Sequence, residues 1–529
     1  MATKKATKKA APKKAAKKAA PKKAAKKTAA VTEDFSKPDK GKPGTVSIRM
    51  YCIGTGDCFV IKFYKEDGSP YTMMIDCGSC RGDADWFAPY VTNLAGYVRN
   101  TIDLLVVTHE HQDHVNGFQK CAEIFEKIKF RNAWFAWTEN PEDPDGEAAE
   151  LLKKRNAMKA ALGNAIAVIK KQEPEVQEEI RNSAYAHQLG AARKAFVRGL
   201  NSLAEINLNA AAGNAAKPLA GMKKIKDILA EQNTKIKYLA PGTTAKVKEL
   251  PGINFHVLGP PKSKQQIHKS YKEGTDVYKN EKALDASTLA ARAFTNFTEG
   301  NAMKDLPFAK EYLSADQPGD NNLDEKNQKL LYTQKDTWRK IDRDWLMSAG
   351  TLAIRLTRDI NNTSLVLAVE SESSGKVLLL PGDAEFGSWE SWHMIPKWNK
   401  KGSDGKKHFV EDLLSRTVFY KVGHHLSYNG TALDKGISMM PESNMVSMAT
   451  LDLERIDEGW TSTMPNKHLV ADLTKRTEGL FFIMNEKKVK AAPSKVLDHS
   501  TLDEKEYFTL PNVEGKCALF KQYTLSFEK

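Results

Sequence analysis

From Val46 onward the chain alternates short apolar stretches with longer segments whose apolar residues recur at helical spacing. Val46-Ser-Ile-Arg-Met-Tyr51 alternates like a strand, Gly54-Thr-Gly-Asp57 makes a turn, and Cys58-Phe-Val-Ile-Lys-Phe63 resumes an extended run. A further strand, Tyr71-Thr-Met-Met-Ile-Asp76, stops at Asp76-Cys-Gly78. Asp103-Leu-Leu-Val-Val107 reads as a buried strand, and Val115, Phe118, Cys121, Ile124, Phe125 and Ile128 then fall at helical spacing. The residues between them therefore sit on a strand-to-helix turn. Phe130–Trp137 reads as the next strand, and strand patterns return at Lys237–Gly242, Ile253–Leu258, Asn361–Val369, Lys376–Asp383, Val418–Val422, Asn444–Ala449 and Phe481–Met484. Pro465–Arg476 suits a helix. Two interruptions break this rhythm. Residues 144–235 carry long helical patterns, Ala148–Lys171 and Val176–Leu203, and residues 262–345 are polar and rich in Gly, Asn, Asp and Lys. Mixed strands and helices with two insertions predict an α/β domain.

Chemistry gathers where strands run out. The strand at 103–107 is followed by His109, His111, Asp113 and His114, four metal-ligand side chains within six residues, too dense for an incidental histidine-rich loop. Residues two apart at a frayed strand end project the same way, so His109 and His111 can share one ion while Asp113 and His114 serve another. Lys376-Val-Leu-Leu-Leu-Pro-Gly-Asp383 ends at a carboxylate, and Val418-Phe-Tyr-Lys-Val-Gly-His424-His425-Leu-Ser427 ends at a histidine pair.

The first cluster resembles the His-x-His-x-Asp-His motif of the metallo-β-lactamase superfamily. The Gly54-x-Gly-Asp57 turn, Asp76-x-Gly78 and Lys421-Val-x-His424-His425-x-Ser427 are similar to features of the metallo-β-lactamase domain of DNA-uptake competence (ComEC-type) proteins. The resemblance implies an αββα sandwich, two sheets between helices, over residues 46–490, with 491–529 as an extension carrying no functional signal. It also implies two divalent ions, Zn or Mn, held by His109, His111, Asp113, His114, a bridging Asp383, and one of His424 and His425, with His425 favoured. Asp76 either orients a metal-bound His or caps its own turn, and Lys421 is either a phosphate contact or a strand-end surface lysine. Leu426 departs from the pattern, standing where the competence proteins have Gly. Many superfamily hydrolases also place a His upstream of the bridging Asp, where this chain has Arg358-Asp-Ile-Asn-Asn-Thr-Ser364. The competence-type domains share that Asn-Asn-x-Ser, so Asp359, Asn361 or Asn362 would coordinate weakly or hold a water, and a site richer in oxygen admits manganese beside zinc.

Composition adds a partner. At 529 residues and 41% hydrophobic, the chain can build one large domain with insertions or two to three domains. Six cysteines over this length do not make a disulfide framework and read as reduced thiols, and no apolar run suits a membrane span, so a cytoplasmic location is expected, with association to the nucleoid as an option. Residues 1–30 repeat Ala-Ala-Pro-Lys-Lys-Ala-Ala-Lys-Lys and hold Lys4, Lys5, Lys8, Lys9, Lys13, Lys14, Lys17, Lys18, Lys22, Lys23, Lys26 and Lys27 without an acidic residue. Those twelve lysines account for all but two of the net +14 charges. The segment resembles the tails of linker histones and bacterial histone-like proteins. Residues 1–45 are expected to be a disordered basic tail that binds nucleic acid, DNA in the first place, through its phosphates and without reading bases. The function expected is a metal-dependent nuclease or phosphodiesterase that cleaves DNA with a metal-activated water, Asp113, His114, Asp383 and Lys421 acting at the reacting centre. A hydrolase of a small-molecule or phosphocholine-type ester and a non-catalytic DNA-binding protein are the alternatives.

Overall fold

The computed structural model describes residues 35–181, 186–208, 220–279, 348–398, 409–456, 460, 463–485, 502–503, 507–508 and 517–528. The twelve tail lysines, most of the polar insertion and most of the C-terminal extension lie outside the described residues.

Two sheets carry the fold. The first contains β1 (Thr45–Tyr51), β2 (Phe59–Tyr64), β3 (Pro70–Ile75), β4 (Leu104–Val107), β5 (Ala133–Ala136) and β6 (Ile236–Leu239) in that spatial order. The second contains β7 (Thr244–Lys246), β8 (Ile253–Gly259), β9 (Val366–Ser371), β10 (Val377–Leu380), β11 (Thr417–Lys421), β12 (Val446–Ala449) and β13 (Phe481–Ile483), likewise in order. The final strand, β14 (Phe520–Ser526), pairs along all of β1, so residues 491–529, expected as an extension, supply a strand of the first sheet. Both sheets follow one plan. β14 through β3 and β7 through β10 run antiparallel, whereas β3 through β6 and β10 through β13 run parallel. Parallel strands deliver their C-terminal ends to one edge, the usual place for a site in such sheets. Asp76 follows β3 and His109 follows β4, just as Asp383 follows β10 and His424 follows β11.

The sheets pack face to face. Phe255 of β8 meets Phe63 of β2 and Trp134 of β5 edge-on, with ring centres 6.3 and 5.2 Å apart. Along β9, Leu367 and Val369 join this inner core while Val366 and Ala368 face the other way, against Trp389, Trp392 and Leu473. Helices α1 (Ala84–Tyr97) and α2 (Gln112–Lys120) complete the apolar cluster of the first sheet through Phe87, Leu94, Val115 and Phe118. Each such fully buried side chain contributes about 1.5–3 kcal/mol.

The helical insertion shares a separate core with a later helix. Leu162 and Ile166 of α3 (Glu147–Arg181), Phe196 and Leu200 of α4 (Ala186–Asn207), and Leu356 and Ile360 of α6 (Ser348–Asn361) pack together; α5 (Ala220–Glu231) instead joins the first-sheet cluster. Two expectations change here. The break expected between Lys171 and Val176 does not occur, because α3 runs through the exposed Pro174. A mid-helix proline costs about 3 kcal/mol, which packing of the preceding turns offsets. Asn361 and Asn362 do not open a strand, since they end α6 and β9 starts only at Val366. No helix among the described residues is long and apolar enough to cross a membrane.

Candidate metal centre

The loop between β4 and α2 is held by two glycine turns from the first sheet. Asp57 N donates to Asp113 O at 3.0 Å, Cys77 N to His114 O at 2.8 Å, and Gly78 N to Asp57 O at 2.9 Å. These backbones approach so closely that a Cβ on Gly78 would lie 2.4 Å from the Asp113 carbonyl carbon, and one on Gly56 2.5 Å from the Asp113 oxygen. The Gly-x-Gly-Asp and Asp-x-Gly motifs are thus the bed on which Asp113 and His114 lie.

Around that loop, ring nitrogens and carboxylates converge. His114 Nδ1 lies 2.8 Å from Asp76 Oδ2, which turns its Nε2 to within 3.1 Å of Asp383 Oδ2. His425 Nδ1 lies 2.8 Å from Thr450 Oγ1, leaving its Nε2 3.2 Å from Asp383 Oδ2 and 3.3 Å from Asp113 Oδ2. His114 Nε2, His425 Nε2 and Asp113 Oδ1 are buried without a hydrogen-bond partner. Ligand atoms of Asp57, His114, Asp383 and His425 all lie within 4.8 Å of one another. Asp57 is already engaged, by Lys421 Nζ at 2.5 Å and by Thr450 Oγ1 at 2.7 Å, so the donors left open are those of Asp113, His114, Asp383 and His425. Two imidazoles and two carboxylates can hold a divalent cation once the ring nitrogens give up their protons to it. The electrostatics agree. Burial pushes both rings down, yet Asp383 and its neighbours hold His425 up at about 9 and His114 well above the usual range, while the histidines and Lys421 hold Asp383 well below the carboxylate range despite its burial. Positive charge is strongly favoured at this point.

His109 and His111 form a second, adjoining pair. His109 Nδ1 lies 3.0 Å from Thr108 Oγ1 and 3.3 Å from Ser364 Oγ, and His109 Nε2 faces His111 Nδ1 at 3.0 Å. Burial and the neighbouring imidazole of His114 keep His109 well below its usual pKa; burial lowers His111 to about 4. Both are therefore neutral near pH 7, the form that binds metal.

The remaining candidates sort by contact. Asp76, at φ +53°, accepts hydrogen bonds from Thr108 N at 2.8 Å and Thr108 Oγ1 at 2.5 Å as well as facing His114, so it orients that ring. Lys421 is neither a surface residue nor open to a phosphate. It is 3% exposed, and its ammonium is taken by Asp57, by Asp383 at 3.2 Å and by Gly382 O at 2.9 Å. His424 Nε2 faces Asn361, whose Nδ2 lies 3.4 Å from it and 2.9 Å from Glu385 Oε1. Asn362 is not a ligand here, because its Oδ1 accepts from Glu385 N and Ser388 N at the start of the helix Phe386–Trp392. Asp359 pairs with His268 at 2.8 Å, outside the cluster. Leu426 sits at φ +66°, in the left-handed region that favours glycine. The cysteines Cys58, Cys77, Cys80 and Cys121 are free thiols.

No protein-family model matches the chain. Part of it is similar to Anti-Pycsar protein Apyc1 of Paenibacillus sp. (strain J14), 31% identical over 81 residues, and of Paenibacillus xerothermodurans, 32% identical over 81 residues. The Apyc1 of Bacillus phage BSP38 is 32% identical over 83 residues. Each match takes in 15% of this chain and 29–30% of the relative, so the chain spans about three-tenths of the length of these relatives. Together with the buried Asp/His cluster, this partial similarity supports a metal-dependent hydrolase.

Several residues that build the site were not singled out by the sequence. Asp57 and Ser364 lie in motifs but read only as turn and loop residues, and Thr108, Thr450 and Glu385 give no signal before the fold brings them beside the histidines.

Proposed function

We propose that the chain is a phosphodiester hydrolase of metallo-β-lactamase fold, using two divalent ions, Zn or Mn, and acting on DNA. One observation carries the hydrolase reading: buried, unpartnered ligand atoms of Asp113, His114 and His425 converge on Asp383 beside the His109–His111 pair. In this reading His109 and His111 would hold one ion and Asp113, His114 and His425 the other, with Asp383 completing the ligand set. Ions so placed supply Lewis-acid activation of water and neutralise charge developing at phosphorus. The protein's own contribution is orientation. Asp76 and Thr450 aim two of the rings, Thr108 and Ser364 engage a third, and Lys421 balances the excess of carboxylates. The DNA reading rests on residues 1–30, whose lysines would bind phosphates of any sequence and keep the polymer near the site.

A second reading, a small phosphodiester such as a cyclic nucleotide, is favoured by depth: His109, His111, His114, Asp383 and His425 are each at most 1% exposed. The test is turnover of plasmid, linear and single-stranded DNA, RNA and cyclic nucleotides with Mn²⁺, Zn²⁺ or Mg²⁺, beside Asp113→Ala and Asp383→Asn. Cleavage of a polymer that both variants lose supports the nuclease, and cleavage of cyclic nucleotides alone selects the second reading. No turnover of any phosphodiester would sink both.

A further inference from the structure

We propose that Asn207, at the end of α4, is a positioning residue that fixes the His111 ring with Nδ1 towards the metal centre, and so makes the helical insertion part of that centre. The inference rests on the metal-centre reading above. It starts from the orientation of one amide. Asn207 is fully buried, and its Nδ2 donates to Leu203 O at 2.7 Å and to Thr357 Oγ1 at 2.8 Å. Thr357 gives its own hydrogen to Ala353 O at 2.8 Å, so it can only accept from Asn207. With both amide hydrogens placed, the oxygen Oδ1 is what faces His111 Nε2, at 3.2 Å. A carbonyl oxygen accepts and never donates, so Nε2 carries the ring hydrogen and the Nδ1 lone pair is free.

The partner ring is set by the same logic from the opposite side. Thr108 Oγ1 spends its hydrogen on Asp76, so towards His109 Nδ1 at 3.0 Å its oxygen can only accept, which places the ring hydrogen on Nδ1. His109 Nε2 then also presents a lone pair. Two lone pairs 3.0 Å apart repel each other, and a cation bound to both removes the conflict. The Asn207 carbonyl is the contact that keeps His111 from rotating its hydrogen into that gap. Asn207 belongs to α4 of the insertion and Thr357 to α6, which packs against it, so two helices meet at this one imidazole.

The test uses the full chain labelled with ¹⁵N-histidine, and the variants Asn207→Ala, Asn207→Asp and Thr357→Val. In metal-free wild type, NMR should show His111 as the Nε2–H tautomer, and Asn207→Ala should lose that preference. Zn²⁺ or Mn²⁺ titrated against a chromophoric chelator should bind one of two sites 10–100-fold more weakly in Asn207→Ala, the scale of outer-contact losses at metal sites. The second ion should change less than threefold. Asn207→Asp keeps an acceptor and should restore the tautomer, and Thr357→Val, which frees the amide to flip, should give an intermediate loss. Wild-type tautomer and affinity in Asn207→Ala overturn this proposal while leaving the metal centre intact. A wild type that binds no ion overturns the metal centre and this proposal together. Should Asn207→Ala not fold, Asn207→Asp and Thr357→Val decide, and wild-type behaviour of Thr357→Val with a lost tautomer in Asn207→Asp counts against it.

Discussion

The ammonium of Lys421 lies between Asp57 and Asp383 with almost no access to water. Burial lowers its tendency to hold a proton, but the two carboxylates raise it further, so it stays charged. Breaking a buried ion pair by removing one partner costs about 3–5 kcal/mol, because the other charge is left uncompensated. Lys421→Met should lose stability on that scale when metal-free. A divalent cation supplies positive charge beside the same carboxylates, so the loss should shrink when Zn²⁺ or Mn²⁺ is present. Thermal melts with and without EDTA check this, and an equal penalty under both conditions would show that Lys421 and the cation do not share the job. This role could not be read from the sequence, which shows a lysine at a strand end but not whether the strand end faces solvent. The same blindness hid Asp57, whose turn was legible and whose partners, Thr450 and Lys421, come from the other sheet.

At the scale of elements, what was legible is what local pattern specifies. The strand-to-helix turn at 108–114 follows from an apolar run meeting helical periodicity, and β4 and α2 flank it as expected. Elements whose identity depends on distant packing were not legible. Asn361-Asn-Thr-Ser-Leu read as strand because the Leu-rich run follows it, whereas Ala353, Leu356 and Ile360 bury against α3 and α4 and carry the helix up to Asn361. Asn207 is invisible for the same reason. Two element-level predictions follow from the close contacts. Gly78→Ala would drive a methyl group into the Asp113–His114 backbone, which cannot yield as a flexible side chain would. It should cost about 1–3 kcal/mol by overpacking and weaken metal binding with it, measured by urea denaturation and chelator competition; a shift under about 0.5 kcal/mol with unchanged affinity speaks against the bed described for these ligands. The second concerns Glu110, in the ligand loop, which pairs with Lys159 at 2.7 Å and Arg155 at 3.3 Å of α3. Burial alone would raise its pKa, but those two cations lower it from 4.5 to about 2. A carboxyl depressed in the folded state stabilises the fold above its unfolded pKa and loses that contribution as pH falls through the folded value. Wild type should therefore exceed Glu110→Gln in stability near pH 7, and the gap should close between about pH 4.5 and pH 2. A gap independent of pH would mean that Glu110 acts through packing and not through charge.

For the molecule as a whole, the two sheets repeat one plan, and the first carries Asp113 and His114 while the second carries Asp383 and His425, so these donors meet only when both are folded. Charge is divided quite differently. Twelve of the net fourteen positive charges precede residue 31, which leaves the 499 residues that follow with a net charge of only +2. A body so nearly neutral has little long-range attraction for a polyanion, so affinity for DNA should reside in the tail and chemistry in the folded domain. Counterion release makes the division measurable: log K falls with log salt by about 0.9 per phosphate neutralised, giving a slope of at most about −11 if all twelve lysines engage. Removing residues 1–30 should flatten most of that slope and weaken binding to long duplex DNA, chiefly at low salt. Turnover of a dinucleotide-length phosphodiester, too short to bridge tail and site, should be unchanged, because no ligand or orienting residue is touched. Fluorescence anisotropy from 50 to 200 mM salt, paired with the short-substrate assay, separates the two effects. An unaltered salt slope in the shortened protein would place the DNA contacts on the folded domain, and loss of short-substrate turnover would make the tail a working part of the site.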